Sequence, residues 1–99
     1  MFNIYELTQL DQKTLPERTL KLSEETGELA QAVLSVSNAP GSKYKNHSLK
    51  DVREEAVDAA IVALSVLAQT CSSKEEFTAE LDRLMAMKCV KWRTVLSED

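Results

Sequence analysis

The chain is poor in residues that break helices and in residues that bind soft metals. Its 99 residues include two glycines, two prolines, two cysteines and one histidine. So few turn-forming residues indicate few and long secondary-structure elements. The two cysteines are not spaced as C-x-x-C and make a poor disulfide framework, which favours reduced thiols in a cytoplasmic protein. One histidine and no cysteine pair disfavour zinc and the Glu-x-x-His sites of di-iron bundles.

The chain also lacks a basic excess and a long apolar run. Its formal net charge of −4 argues against a nucleic-acid partner, because binding to the phosphate backbone needs a basic face. The apolar segment 57–68 is too short to span a bilayer, and the first residues do not resemble a signal peptide. We therefore expect one domain over residues 1–99, located in the cytoplasm and bound to neither nucleic acid nor membrane.

Helix signals dominate what is present. Three hydroxyl residues, each followed three positions later by an acid, mark helix starts: Thr14 and Glu17, Ser48 and Asp51, Ser73 and Glu76. The three helices are expected to end near Ser35, Gln69 and Trp92. Ile4, Leu7 and Leu10 suggest a further short helix or an ordered arm, and no segment alternates like a strand. The prediction is an all-α bundle of about four helices, with the two long ones antiparallel across the loop at 37–47.

The second long helix is apolar around nearly its whole circumference from Val57 to Ala68, a pattern typical of a fully buried element. Three other short helices cannot easily cover it in so small a chain. We therefore expect oligomerisation to complete the bundle, as a homodimer or a homotetramer.

Acidic residues follow both long helices: Glu24, Glu25 and Glu28 on the first, and Asp51, Glu54, Glu55 and Asp58 on the second. Residues three and four apart share a helix face, so antiparallel packing would gather four or more carboxylates in one small space. Like charges there would raise each other's pKa or separate the helices, and bound Mg²⁺ would remove that penalty. Alternatively, these are solvated helix faces in which Lys21 pairs with Glu25.

The sequence KLSEETGEL at 21–29, followed by EAVD at 55–58, resembles the E-E-x-x-E and E-x-x-D pattern of the MazG-like all-α nucleoside triphosphate pyrophosphohydrolases, in their compact single-domain form. The resemblance covers about residues 15–92. It implies hydrolysis of a (deoxy)nucleoside triphosphate to the monophosphate and pyrophosphate, as house-cleaning of the nucleotide pool, with Mg²⁺ or, in its place, Mn²⁺. It also implies metal ligands at Glu25, Glu28, Glu55 and Asp58, and a water-orienting or general-base role for Glu24.

Substrate contacts are expected near the end of the last helix. Lys88 and Lys91 are candidates for the β- and γ-phosphates, and Trp92 is a candidate for stacking on the base. These residues also have a structural interpretation, because cations stabilise a helix C-terminus and a lone tryptophan commonly closes a core or an interface. Lys43, Lys45 and His47 form either a lid over the triphosphate or a solvated loop.

Other functions are compatible with the same residues. Within the family, a dUTPase or a phosphoribosyl-ATP pyrophosphohydrolase would use the same metal site, because the acidic residues do not encode the base. A non-catalytic helical interaction or regulatory module is the alternative from a different class. Such a module would show neither a Mg²⁺-dependent thermal shift nor hydrolysis of any nucleotide.

Overall fold

The computed structural model describes residues 3–38, 40–41 and 46–98, and within these ranges every regular element is an α-helix. The helices are α1 (Ile4–Leu10), α2 (Leu15–Val36), α3 (Leu49–Gln69) and α4 (Lys74–Ser97). The all-α prediction is confirmed. Helix α4 continues five residues beyond its predicted end at Trp92, because no glycine or proline interrupts it. Within the same ranges, none of the helices has the length and hydropathy that crossing a bilayer would require.

The predicted capping residues begin the long helices. The Thr14 and Ser48 hydroxyls accept hydrogen bonds from the backbone N–H groups of Glu17 and Asp51, and both carboxylates accept in return from the capping backbone at 2.9 and 2.8 Å. Each pair satisfies two amide groups that a helix start otherwise leaves open. These bonds, first those from the backbone N–H groups, hold the pKa of Glu17 and of Asp51 below the usual values. Ser73 caps α4 through the N–H of Glu76 at 3.1 Å.

Helices α2 and α3 pack against each other in the antiparallel arrangement that the short connection predicted. Near the start of α2, Arg18 Nε donates to Gln69 Oε1 at the end of α3, over 2.6 Å. At the opposite end, the backbone N–H of His47 donates to Ser35 Oγ over 3.0 Å. Lys43 and Lys45, the other residues of the predicted lid, lie outside the described residues.

The inward face of α2 repeats every three or four residues, as expected for a helix against one partner. Its buried or half-buried members are Arg18, Leu22, Glu25, Leu29, Ala32, Ser35 and Val36. Two of these seven are charged. The helix pair therefore has a charged side chain at two levels of its contact, and each must be neutralised or hydrogen-bonded.

A small hydrophobic core lies where α1, the end of α3 and the start of α4 meet. Ala68, Cys71 and Phe77 are its buried residues. The half-buried residues packed around them are Ile4, Tyr5, Leu67 and Leu81, and the Tyr5 and Phe77 ring centroids are 6.3 Å apart. Among the described residues, no large side chain is completely buried. One copy of the chain thus builds only a modest core.

The fully buried α3 that its apolar pattern predicted is not present in one copy of the chain. Val57 and Ile61 are 56% and 47% exposed. The physical reason is the placement of the neighbours, because α1 lies over the second half of α3 and α4 contacts α3 only weakly. From Met85 to Glu98, every residue of α4 and its cap is exposed.

Candidate metal centre

Three of the predicted metal ligands meet between α2 and α3. Glu25 and Glu28 lie on the same side of α2 because three residues make nearly one turn, and Glu55 faces them from α3. One carboxylate oxygen from each residue lies within 4.8 Å of the other two. Glu25 is only 8% exposed, Glu55 is half-buried, and Glu28 opens to the surface. The cluster therefore has a buried floor and one accessible side.

Two of these carboxylates have an oxygen with no partner. Glu25 Oε2 and Glu55 Oε2 are both buried and accept no hydrogen bond, a costly state for a charged group. A hard divalent cation matches such a ligand set, because Mg²⁺ is bound by a few carboxylates and retains several waters. Adjacent ligands of an octahedral Mg²⁺ are about 2.9 Å apart and opposite ligands about 4.1 Å, so oxygens that lie within 4.8 Å of one another would reach one ion through shifts of no more than about 2 Å. The residues fit the ion.

The electrostatics of the cluster are those of crowded like charges. The carboxylate of Glu25, followed by burial and by Glu55, raises the pKa of Glu28 above its usual value. Among the described residues, the cation paired with the cluster is Lys21, whose Nζ lies 3.2 Å from Glu25 Oε1 and 3.3 Å from Glu24 Oε1. These two contacts, first the one with Glu25, raise the pKa of Lys21. The predicted pair between Lys21 and Glu25 therefore exists, and it leaves Glu25 Oε2 without a partner.

Asp58 does not join the three glutamates in the part of the chain that the structure describes. It is exposed and lines a shallow depression on α3 with Arg53, Glu54 and Val57. On the same edge of α3, Ser65 is buried because α1 covers it, whereas Asp58 is exposed and no described helix lies over it. Glu54 is exposed as well.

The remaining predicted residues occupy two separate places. Glu24 is exposed at the rim of the cluster, in its ion pair with Lys21. Lys88, Lys91 and Trp92 lie on the exposed second half of α4. In the described part of the chain, α4 contacts α1 and α3 but not α2. One copy of the chain therefore does not bring these three residues to Glu25 and Glu28.

Arg18 is a residue whose importance the sequence reasoning missed. It is 5% exposed and donates to Gln69 Oε1, to the carbonyl oxygen of Thr8 at 2.9 Å and to that of Asp11. Gln69 Nε2 in turn donates to the carbonyl oxygen of Lys13 over 3.0 Å. These bonds fix the segment between α1 and α2 against both long helices. The available signal was position, because Arg18 precedes Glu25 by seven residues on one helix face.

An apolar cavity of about 210 Å³ adjoins this bonded segment. Its wall includes α1 and α3 residues, Arg18 and Lys21. Lys21 therefore borders both the cavity and the carboxylate cluster.

Comparison of the chain with protein-family models, with curated proteins and with solved structures found no match. The class of protein that the fold and the cluster define is an all-α helical protein with a candidate site for a hard divalent cation.

Proposed function

We propose that the protein is a Mg²⁺-dependent nucleoside triphosphate pyrophosphohydrolase, converting a (deoxy)nucleoside triphosphate and water to the monophosphate and pyrophosphate. One observation carries the proposal: carboxylates from two neighbouring helices converge within 4.8 Å, and two of their buried oxygens lack a partner. The E-E-x-x-E and E-x-x-D motifs supply the reaction class. House-cleaning of the nucleotide pool is the role that this resemblance implies.

In this proposal Glu25, Glu28 and Glu55 hold Mg²⁺, or Mn²⁺ in its place. Asp58 is the fourth ligand that the motif assigns, approaching from the exposed edge of α3. When bound, the ion offsets charge on the phosphate oxygens and lowers the pKa of a coordinated water.

The chain's own groups then act on the reacting water and the substrate. Glu24, whose carboxylate is accessible at the rim, orients or deprotonates the water that attacks the α-phosphorus. The bond from the α-phosphorus to the bridging oxygen breaks, and pyrophosphate leaves with that oxygen. Lys88 and Lys91 bind the terminal phosphates, and Trp92 contacts the base.

These α4 residues support a role for more than one copy of the chain. Because α4 does not contact α2 within one copy, its basic residues reach a carboxylate cluster only from a second copy. We propose a homodimer or a homotetramer, acting in the cytoplasm, where the free Cys71 and Cys89 would stay reduced.

A panel of nucleotides tests the activity. The protein is incubated with canonical and modified nucleoside triphosphates, dUTP and phosphoribosyl-ATP, with Mg²⁺ or with EDTA, and monophosphate and pyrophosphate are quantified. We expect Mg²⁺-dependent release of both products in equal amounts from at least one substrate. Glu25→Gln should abolish turnover and keep the helical circular dichroism signal. The control variant Glu54→Gln, outside the cluster, should keep turnover as well.

A non-catalytic interaction module is the second candidate, favoured by the exposed apolar residues of α4. It predicts no turnover of any nucleotide and no thermal shift with Mg²⁺. That pair of results would refute the hydrolase proposal.

A further inference from the structure

The chain exposes more surface than a folded monomer of its mass should. Its accessible area is 7507 Å², whereas the scaling of area with mass gives about 5,700 Å² for a compact 11 kDa monomer. Its radius of gyration is 16.4 Å, against about 13 Å for a compact domain of this length. The excess, about 1,800 Å², exceeds the roughly 800 Å² that each partner buries in a standard interface.

Part of this excess is an apolar stripe on the second half of α4. The face that begins in the core with Phe77 and Leu81 continues past the body of the molecule at helical spacing. Its outer members, here called the α4 stripe, are Met85, Trp92, Val95 and Leu96, and all four are exposed. At 100° per residue they lie within an arc of about 100°. Trp92 alone is 68% exposed, so this apolar face is exposed to solvent and packs against none of the other described residues.

A second uncovered apolar surface lies on α3. Val57 and Ile61 are exposed, and the neighbouring Ala56 and Ala60 are exposed with them. We call these four residues the α3 open face. Small alanines beside larger branched side chains allow another helix to approach closely and fit bulky side chains between them.

The two surfaces differ in the charges at their edges. Glu54 and Asp58 form an acidic edge of the α3 open face, where they line a depression with Val57 and Arg53. Lys88 and Lys91 lie within and beside the α4 stripe, on the same half of the helix. None of these four residues forms a salt bridge with another described residue of its own chain. The acidic edge of the α3 open face is complementary to the lysines beside the α4 stripe, whereas pairing of two α4 stripes would bring like charges together.

We propose that the α4 stripe of one chain packs on the α3 open face of a second copy, and that the second copy reciprocates about a two-fold axis. A reciprocal pair uses each surface once and closes, so it forms a dimer and not a filament. Burying most of the excess area in both chains would give an interface in the size range of obligate homodimers. The same packing carries Lys88 and Lys91 of one copy towards the Asp58 edge of the other. If the proposed hydrolase activity holds, the two lysines would bind the substrate phosphates there.

Sedimentation equilibrium of the full chain, without metal or nucleotide, tests the dimer independently of any activity. We expect a dimer at micromolar concentration. The lone Trp92 should emit at the shorter wavelength of a buried indole, with the emission moving to longer wavelength on dilution through the dissociation range. A monomer at all concentrations, with solvated tryptophan emission, would overturn the proposal.

Substitutions test which surfaces meet. Trp92→Ala on the α4 stripe and Val57→Glu on the α3 open face should each weaken dimerisation at least about thirtyfold, as loss of an interface hot spot does. Leu10→Glu is the matched control, because Leu10 is 78% exposed on α1, outside both surfaces, and should leave dissociation unchanged. Circular dichroism verifies helicity in each variant. A dimer that survives both interface substitutions would place the contact elsewhere and refute the assignment.

Charge reversal tests the pairing of α4 with α3 specifically. Glu54→Lys and Lys91→Glu should each weaken the dimer by about fivefold, the effect of roughly 1 kcal/mol at an exposed charge. The double variant should recover most of the loss, because the opposite charges are restored. Additive losses in the double variant would instead exclude this pairing of surfaces, for example in favour of α4 against α4.

Discussion

Removing one carboxylate from the cluster should stabilise the metal-free protein and abolish its response to Mg²⁺. Glu25 and Glu55 offer oxygens within 4.8 Å of each other. At that distance two unit charges repel by about 1 kcal/mol at the dielectric of water and about 3.5 kcal/mol at an effective dielectric near 20. The substitution Glu55→Gln removes this repulsion and a buried unpartnered carboxylate oxygen. We expect the metal-free variant to gain about 1 kcal/mol or more, which is roughly 4–8 °C in Tm per kcal/mol for a domain of this size.

The assay is thermal unfolding by circular dichroism at one protein concentration, in EDTA and in a Mg²⁺ series. A ligand at a hundred times its Kd stabilises the native state by about 2.7 kcal/mol, so the natural chain should show a Tm that rises with Mg²⁺. Glu55→Gln should lose that rise, and the exposed neighbour Glu54→Gln should keep it. A Glu55→Gln protein less stable in EDTA than the natural chain, or one that keeps the full Mg²⁺ response, would refute the reasoning.

Three further predictions concern the fold and its pH dependence. Arg18→Met should lower the free energy of unfolding in urea by about 2–4 kcal/mol, because it leaves buried carbonyl oxygens unpaired. Arg53→Met, at an exposed residue, should lower it little, and equal losses in the two variants would contradict a structural role for Arg18. The pKa of Asp51 is lowered, so its stabilisation of the fold is present above the unfolded carboxyl pKa and lost as pH falls. In Asp51→Asn, the urea midpoint should therefore fall less steeply towards acid pH than in the natural chain. The pKa of Glu28 is raised, so its effect on stability has the opposite pH dependence. In EDTA, its contribution to the free energy of unfolding should decline as pH rises above about 4.5, and Glu28→Gln should remove that decline.

Local signals predicted the helices well. Thr14 and Ser48 cap α2 and α3 as predicted because capping depends on residues three positions apart. The same signals predicted that one copy of the chain would not cover α3, but not which part of the helix would stay exposed. An apolar circumference shows that a helix needs partners, but not whether those partners belong to the same chain. Val57 is exposed because α1 covers only the second half of the helix, and Ile61 is half-exposed because it lies where that cover begins, in the wall of the apolar cavity.

The residues of the candidate site also fall into those whose position the sequence predicted and one, Asp58, whose surroundings it did not. Helical spacing was enough to place Glu25 and Glu28 together and to turn Glu55 towards them, because antiparallel packing of two neighbouring helices fixes both faces. Asp58 lies at the edge of α3, and its surroundings depend on what covers that edge. The sequence of one chain does not encode the path of α1 or of a second copy over that edge in any local pattern. The sequence therefore marked Asp58 as a candidate ligand by its residue type but could not predict its surroundings.

The two buried charges on the inward face of α2 differ in how far the fold compensates their burial. Arg18 and Glu25 are seven residues apart and similarly buried. The Arg18 guanidinium donates to Gln69 and to two carbonyl oxygens, so the fold itself compensates its burial. Glu25 pairs one oxygen with Lys21 and leaves the other buried without a partner. Because native proteins satisfy nearly all buried polar atoms, this difference on one helix face is the physical reason to propose Glu25 as a metal ligand and to assign Arg18 to the architecture.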